Sequence, residues 1–489
     1  MNMSTPTLVT FVVYLIGMLI IGFAAYRLTD DLSDYVLGGR RLGPGVAALS
    51  AGASDMSGWL LLGLPGAMYA SGMNQVWIAV GLTIGAYLNW QFVARRLRVY
   101  TEVARDSITV PDYLENRFHD SSKVLRMISA VVILLFFTFY TSSGMVAGAT
   151  LFEKSFGMEY GTALWVGAIV IISYTFLGGF LAVCWTDFVQ GMLMFLALLM
   201  VPIAVISADG GWSSTVAEVA AVDPTRLDIF HNMTLFGIVS LMAWGLGYFG
   251  QPHIVVRFMG LRRSSDMPTA KLIGMTWMVL ALYGAIFTGF AGIGYFADKP
   301  LANAETVFIS LSQLLFNPWV AGVLLAAILS AIMSTIDSQL LVSSSALTED
   351  FYKAMIRPNA SQKELVWIGR GTVILIALIA VLMARDPNST VLGLVSYAWG
   401  GFGAAFGPVI LLSLFWKRMT RNGAIAGMVV GAVTVILWKQ VEGGIFDMYE
   451  ILPGFILCAL TVVVVSLISQ PPVAAIQDEF DTFEKTLHQ

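Results

Sequence analysis

Residues 8–26 contain no charged side chain, and a run that long is what a helix needs to cross a hydrocarbon layer of roughly 30 Å. The pattern recurs along the chain. Apolar runs of roughly 18–25 residues cover approximately 8–26, 43–70, 74–94, 124–150, 160–180, 187–207, 233–252, 272–296, 318–345, 367–384, 391–415, 423–441 and 449–469. About thirteen spans and an all-α membrane protein are expected, because lipid offers no partner to an exposed backbone and a helix pairs its own. The residues are 57% hydrophobic and 12% charged, against roughly 25% charged in a soluble domain. So little charge would not cover the surface of a water-soluble fold.

Lys and Arg alternate between loops. One set holds Arg27, Arg40 and Arg41, then Arg95, Arg96, Arg98, Arg105 and Arg117, then Arg257, Arg262, Arg263 and Lys271. It continues with Lys353, Arg357 and Lys363 and with Lys417, Arg418 and Arg421, while the opposite loops hold Lys154, Arg226, Lys299, Arg385 and Lys439. The excess of positive charge predicts an N-terminus outside and a C-terminus in the cytoplasm. The first span lacks a basic leader and a cleavage site, so it is expected to be retained.

Other chemistries lack their signatures. Cys184 and Cys458 lie in or beside apolar runs with no zinc or disulfide spacing, and the four histidines are scattered. No basic patch suits nucleic acid and no GxxxxGK[ST] loop suits a nucleotide. Nothing at membrane depth resembles a catalytic dyad, a metal cluster or the repeated ring of a channel filter. An enzyme is not expected, and no protein partner is required by any feature.

Polar residues within the spans carry the functional signal. The second span reads Gly45-Val-Ala-Ala-Leu-Ser-Ala-Gly-Ala-Ser-Asp-Met-Ser-Gly-Trp59. Asp55 at that depth costs several kcal/mol unless it faces a partner or a wet cavity. With Ser54, Ser57 and Gly58 beside it, it points to a helix interrupted near the midplane, where freed carbonyls suit a cation and a half-helix N-terminus suits an anion. A kinked packing helix built from small residues is the plainer explanation. The seventh span, Trp244-Gly-Leu-Gly-Tyr-Phe-Gly-Gln-Pro252, is interrupted in the same way. Two breaks five spans apart predict inverted repeats comprising spans two to six and seven to eleven.

In the ninth span, Ala331, Ser334 and Thr335 share one helix face. Their oxygens suit a hard cation, although such hydroxyls also bond back to the preceding turn. Trp59, Tyr140, Trp244 and Tyr248 could cage a small apolar ring.

The runs Ser50–Leu61, Trp244-Gly-Leu-Gly-Tyr-Phe-Gly-Gln-Pro-His253, Met333-Ser-Thr335 and Val395-Ser-Tyr-Ala-Trp399 resemble the signatures of the sodium/solute symporter family, in particular its bacterial sodium/proline branch. The resemblance spans Leu8 to about Leu467. It implies a LeuT-like fold with two five-helix inverted repeats and flanking helices. The corresponding division is 1–42 (first helix and cytoplasmic loop), 43–207 (first repeat), 208–232 (outside loop), 233–416 (second repeat), 417–469 (two helices) and 470–489 (tail).

By motif matching, sodium would be bound by the carbonyls of Ala53, Met56 and Ala331 and the hydroxyls of Ser334 and Thr335. Asp55 would serve sodium affinity or coupling, with Arg40 at the cytoplasmic end of that helix. L-proline would meet Ser57, Gly58, Trp59, Tyr140, Trp244, Tyr248 and Gln251. Asp187 and Asp337 remain open between a helix-end charge or arginine pair and a second cation or proton site. Another amino acid or pantothenate as cargo, proton coupling, and a sensor working with a separate partner are the competing readings. The bacterial inner membrane is the expected location.

Overall fold

The computed structural model describes residues 4–26, 36–175 and 179–488. Arg27 and residues 176–178 of the expected span 160–180 lie outside those residues. Among the described residues the chain is helical without a strand, apart from one bridge pairing Leu42 with Leu261. Ten helices among the described residues are long and apolar enough to cross a membrane.

These ten are α1 (Thr5–Tyr26) and nine that follow. Three expected spans are absent from this set: two are broken, and the third, 160–180, contributes only a shorter helix among the described residues. The second span is split into α2 (Pro44–Asp55) and, after a break and a widened turn at Trp59–Gly63, α3 (Leu64–Ser71). The third is α4 (Met73–Val103), followed by the short α5 (Val110–Arg117). Next come α6 (Val124–Phe156), α7 (Tyr160–Thr175) and α8 (Phe180–Ala208). A short α9 (Trp212–Val222) leads to the second broken span.

That span consists of α10 (Leu235–Met242), a tight 3-10 stretch over Ala243–Gly250, and α11 (Pro252–Met259). Pro252 opens α11, where its missing N–H costs nothing, and Gln251 before it is extended (φ −82°, ψ 107°). The chain continues through α12 (Met267–Tyr295), α13 (Val307–Leu315) and α14 (Pro318–Ser345), whose wider-wound extension reaches Ile356. It ends with α15 (Gln362–Met383), α16 (Val391–Phe415), α17 (Arg421–Trp438), α18 (Ile451–Ile468) and α19 (Ala474–His488).

Burial separates centre from rim. The most apolar windows of α14 and α16 are each 83% buried, whereas those of α1 and α18 are 22% and 28% buried. The outer pair presents its apolar face to lipid, and the inner pair forms the core. α2 packs against α8, α12 and α14, and α6 packs against α14 and α16. The 3-10 stretch lies against α4 and α16. A Cβ on Gly85 would overlap the backbone of Gly245, so glycine permits that close crossing.

Several expected boundaries move. The sixth span begins at Phe180 rather than near 187, which sets Asp187 about two turns inside α8. Arg257, expected in a cytoplasmic loop, is within α11 and has no exposed surface. The polar tail forms α19, which buries Ile476, Phe480, Phe483 and Leu487 and leaves its other face in water. An average of composition hides that 3.6-residue stripe.

Candidate functional site

The break in α2 organises the site. Helical pairing stops at Asp55, and Met56 turns away with φ −82° and ψ 75°, its N–H donating to the Gly52 carbonyl at 2.8 Å. The carbonyls just before and after such a stop lose their helical donors. Ala53 O accepts from the hydroxyls of Ser334 at 2.8 Å and Thr335 at 3.3 Å, both on α14. Ser334 also reaches Ala331 O at 3.2 Å. The i, i+3, i+4 face read from the sequence thus meets the broken helix, and four of the five expected cation oxygens lie in one hydrogen-bonded group. The carbonyl of Met56 is not part of that group.

Asp55 O accepts from Trp59 Nε1 at 3.1 Å and from the Tyr140 hydroxyl at 3.3 Å. Asp55 Oδ2 accepts from the Tyr248 hydroxyl at 2.5 Å, and Asn89 Nδ2 donates to Tyr248 O at 3.0 Å. The carboxyl is 2% exposed, and its Oδ1 has no hydrogen-bond partner among the described residues. Trp59 lies 6.1 Å from Trp244, and Trp399 donates from its indole to Trp244 O at 2.7 Å. Gln251 donates to Trp399 O at 3.1 Å. Ser57 Oγ accepts from the Trp59 amide at 3.3 Å. A Cβ on Gly58 would come within 2.8 Å of Ala147 Cβ and 3.2 Å of Ile332, so α6 and α14 close on the break there. All seven aromatic and break residues expected around a small cargo therefore lie in one region between the two breaks.

The other expected residues lie elsewhere. Arg40 is beyond the start of α2, donating to Met259 O at 2.7 Å, Ser107 O at 2.9 Å and Asp106 at 2.9 Å. It ties the entry of α2 to the exit of α11, as do the paired amides and carbonyls around Leu42. Asp187 accepts from Ser50 at 2.7 Å and from Arg257 at 3.3 Å, all fully buried. Arg257 also donates to Ser50 Oγ at 3.0 Å, Ser338 Oγ at 2.5 Å and His253 O at 2.7 Å. Asp337, next to Ser338 on α14, is fully buried.

Arg257 and its partners Ser50 and Ser338 were not singled out by the sequence. The available signal was an arginine inside the apolar run Pro252–Met259 after a break, and loop counting masked it.

The sequence profile of the Sodium:solute symporter family matches residues 35–431. This chain belongs to the sodium:solute symporter family. It is a sodium-coupled solute transporter of the membrane, not an enzyme. The chain is 57% identical to the sodium/proline symporter of Salmonella typhimurium, over all of this chain and 98% of that one. It is 55% identical to the high-affinity proline transporter PutP of Bacillus subtilis, over 96% of this chain and all of that protein. It is 51% identical to the osmoregulated proline transporter OpuE of the same organism, over 99% of each.

Among solved structures, the fold matches a substrate-bound, outward-open Na+-coupled sialic acid symporter with a TM-score of 0.81. Identity there is 19%, over 96% of this chain and 99% of that one. Mhp1, a nucleobase-cation-symport-1 family transporter, matches with a TM-score of 0.55 at 13% identity, over 93% and 99% of the two chains.

Proposed function

We propose that this family member couples inward sodium movement to uptake of L-proline by alternating access. The observation that carries the cation assignment is the convergence of Ser334 and Thr335 on the Ala53 carbonyl freed by the break. Hydroxyl and carbonyl oxygens in a dry setting suit a hard monovalent ion. Sodium is held by Ala53, Ala331, Ser334 and Thr335, with the Met56 carbonyl, one residue past α2, as the fifth oxygen. Proline as cargo is supported by the full-length similarity to three proline transporters.

Binding of the ion fixes the unwound backbone, so that amide groups entering the next half-helix receive the substrate carboxylate. Trp59, Tyr140, Trp244 and Tyr248 enclose the pyrrolidine ring, and Ser57, Gly58 and Gln251 complete the wall. Asp55 tunes cation affinity through Tyr248. Arg40 positions the two broken spans at their common end, and Asp187 and Asp337 form the buried polar floor beneath the cation site. Coupling is reciprocal: each ligand tightens the other by the same factor.

The architecture that serves this is a LeuT-like one of thirteen spans. The ten long helices are joined by α7 and the two broken spans, with inverted repeats over 43–207 and 233–416. The flanks are 1–42, the 208–232 outside loop, 417–469 and the 470–489 tail. The N-terminus is outside and the C-terminus is in the cytoplasm of a bacterial inner membrane. Supporting that orientation, α19 pairs with Arg96 near the end of α4 and with Lys417 just after α16, both in the set of cations that carries the positive excess.

A tenfold sodium gradient supplies about 1.4 kcal/mol and a potential of ~100 mV about 2.3 kcal/mol. Together they support roughly 500-fold accumulation of a neutral zwitterion. The test is uptake of radiolabelled L-proline into proteoliposomes under sodium, proton or no gradient. Sodium-driven uptake lost in Ser334→Ala/Thr335→Ala is expected. No uptake under any gradient would remove proline as the cargo, and equal uptake with protons alone would remove sodium.

A further inference from the structure

Where α4 crosses the second break, the helix and the break enclose a small polar cavity. Gly85 brings α4 against the backbone of Gly245, and one turn later α4 widens over Asn89–Val93. A widened turn of this kind is rare inside a helix and frequent at functional sites. Asn89, its first residue, is buried and donates from Nδ2 to Tyr248 O at 3.0 Å. A carbonyl accepts only from the amide nitrogen, so this bond fixes which way the side chain faces and aims Oδ1 elsewhere.

That Oδ1 has no hydrogen-bond partner among the described residues, and neither has Asp55 Oδ1. Both residues line a cavity of about 20 Å³, together with Tyr248, Trp90, Ala51 and Met278. The Tyr248 hydroxyl already donates to Asp55 Oδ2 at 2.5 Å. Asp55 and Asn89 thus place two buried acceptors beside one space, a costly arrangement unless they share a donor. A cavity of that size holds one water molecule, whose two hydrogens serve one oxygen each.

We propose that Asn89 is a positioning residue for sodium coupling, gripping one water molecule between its Oδ1 and Asp55 Oδ1 while its amide holds the backbone of the second break. The inference rests on the role argued above for Asp55 in cation affinity. Asp55 then has both carboxyl oxygens tied, one to Tyr248 and the other through water to α4. Among the described residues Asn89 makes no hydrogen bond to the cation oxygens around Ala53. It acts on them by fixing the Asp55 end of α2.

The experiment measures the sodium concentration for half-maximal L-proline uptake into proteoliposomes. It compares the parent, Asn89→Leu and Asn89→Ala, each with and without Tyr248→Phe. Asn89→Leu keeps the branched shape and removes both polar ends, so half-saturation should rise roughly tenfold, the effect of one buried acceptor left without a donor. Asn89→Ala opens room for a further water to serve the stranded groups, and its rise should be smaller. A residue that mattered for packing alone would give the opposite order, because the larger cavity costs more. In Tyr248→Phe, Asn89→Leu should add about twofold or less, since the bond through which it acts is already gone. A high-resolution crystal structure of the full chain should show one water within hydrogen-bond reach of both oxygens, and Asn89→Leu should lose it.

A larger rise in Asn89→Ala than in Asn89→Leu overturns the proposal, as do additive effects with Tyr248→Phe or a cavity without water density in the parent. Sodium-dependent uptake by the parent with unchanged half-saturation in Asn89→Leu removes the positioning role alone. Uptake by the parent that ignores sodium removes the coupling reading and the positioning role with it.

Discussion

Tyr248 donates its hydroxyl to Asp55 Oδ2 at 2.5 Å, joining the two broken spans across 193 residues of sequence. Neither partner has appreciable contact with water, since Asp55 is 2% and Tyr248 3% exposed. A hydrogen bond to a buried charged group is worth about 1.5–3 kcal/mol, and the carboxylate left behind bears the desolvation cost. Tyr248→Phe should therefore raise the sodium concentration for half-maximal uptake by roughly tenfold or more, at about 1.4 kcal/mol per tenfold. An unchanged sodium dependence would show that the two breaks are not coupled through this bond.

Gly58 allows α6 and α14 to close on the break. In Gly58→Ala the new methyl meets Ala147 Cβ at 2.8 Å and Ile332 at 3.2 Å, an overpacking that costs about 1–3 kcal/mol. Uptake should fall, and Ala147→Gly in the same chain should restore much of it. Failure of that second change to help would mean the contact with α6 is not what limits the variant.

The pair of Asp187 and Arg257 is fully buried at 3.3 Å. Removing one member of such a pair leaves an uncompensated charge and costs about 3–5 kcal/mol, whereas removing both costs much less. Arg257→Met should lower the melting temperature of the detergent-solubilised protein sharply, and Asp187→Asn/Arg257→Met should recover part of it. Additive losses in that double-mutant cycle would rule out the pairing as the source of the effect.

Phe483 on α19 is fully buried and stacks on Tyr100 at 4.2 Å. Truncation of a buried phenylalanine costs about 3–5 kcal/mol, more than the ion pairs from Arg96 to Glu484 and Lys417 to Asp481 can retain at a partly exposed surface. Phe483→Ala should detach the helix and expose the C-terminal segment to limited proteolysis from the side carrying it. Equal resistance of variant and parent would place the docking energy elsewhere.

Asp120 lies between α5 and α6, outside the spans. Burial alone raises its carboxyl, but hydrogen bonds from Ser122 and the Leu125 amide and the charge of Arg421 outweigh that and bring it below its ordinary value of 3.8. A carboxyl lower in the folded than the unfolded chain stabilises above its unfolded value, and that contribution is lost as pH falls through the folded value. Asp120→Asn should thus lower thermal stability at neutral pH, with the gap narrowing below roughly pH 4. A gap independent of pH would assign the loss to packing.

Local sequence was enough for the solvent and for an all-helical fold with many spans. Lengths of apolar run demanded a bilayer, and glycine with Asp55 and with Pro252 demanded two interruptions, because backbone chemistry is local and legible at short range. It also determined the face shared by Ala331, Ser334 and Thr335, which follows from helical periodicity. Only the tertiary structure decided what those features touch: that Ser334 reaches Ala53, that Tyr248 reaches Asp55, and that Arg257 enters the core to meet Asp187. Such contacts join residues far apart in the chain, and a residue's local pattern is the same whether its partner is lipid, water or a buried carboxylate. Arg257 reads as loop charge in one dimension because its partners Ser50 and Ser338 come from other helices. The amphipathic α19 reads as a polar tail for the same reason, its buried stripe having meaning only once Tyr100 and Arg117 lie beneath it.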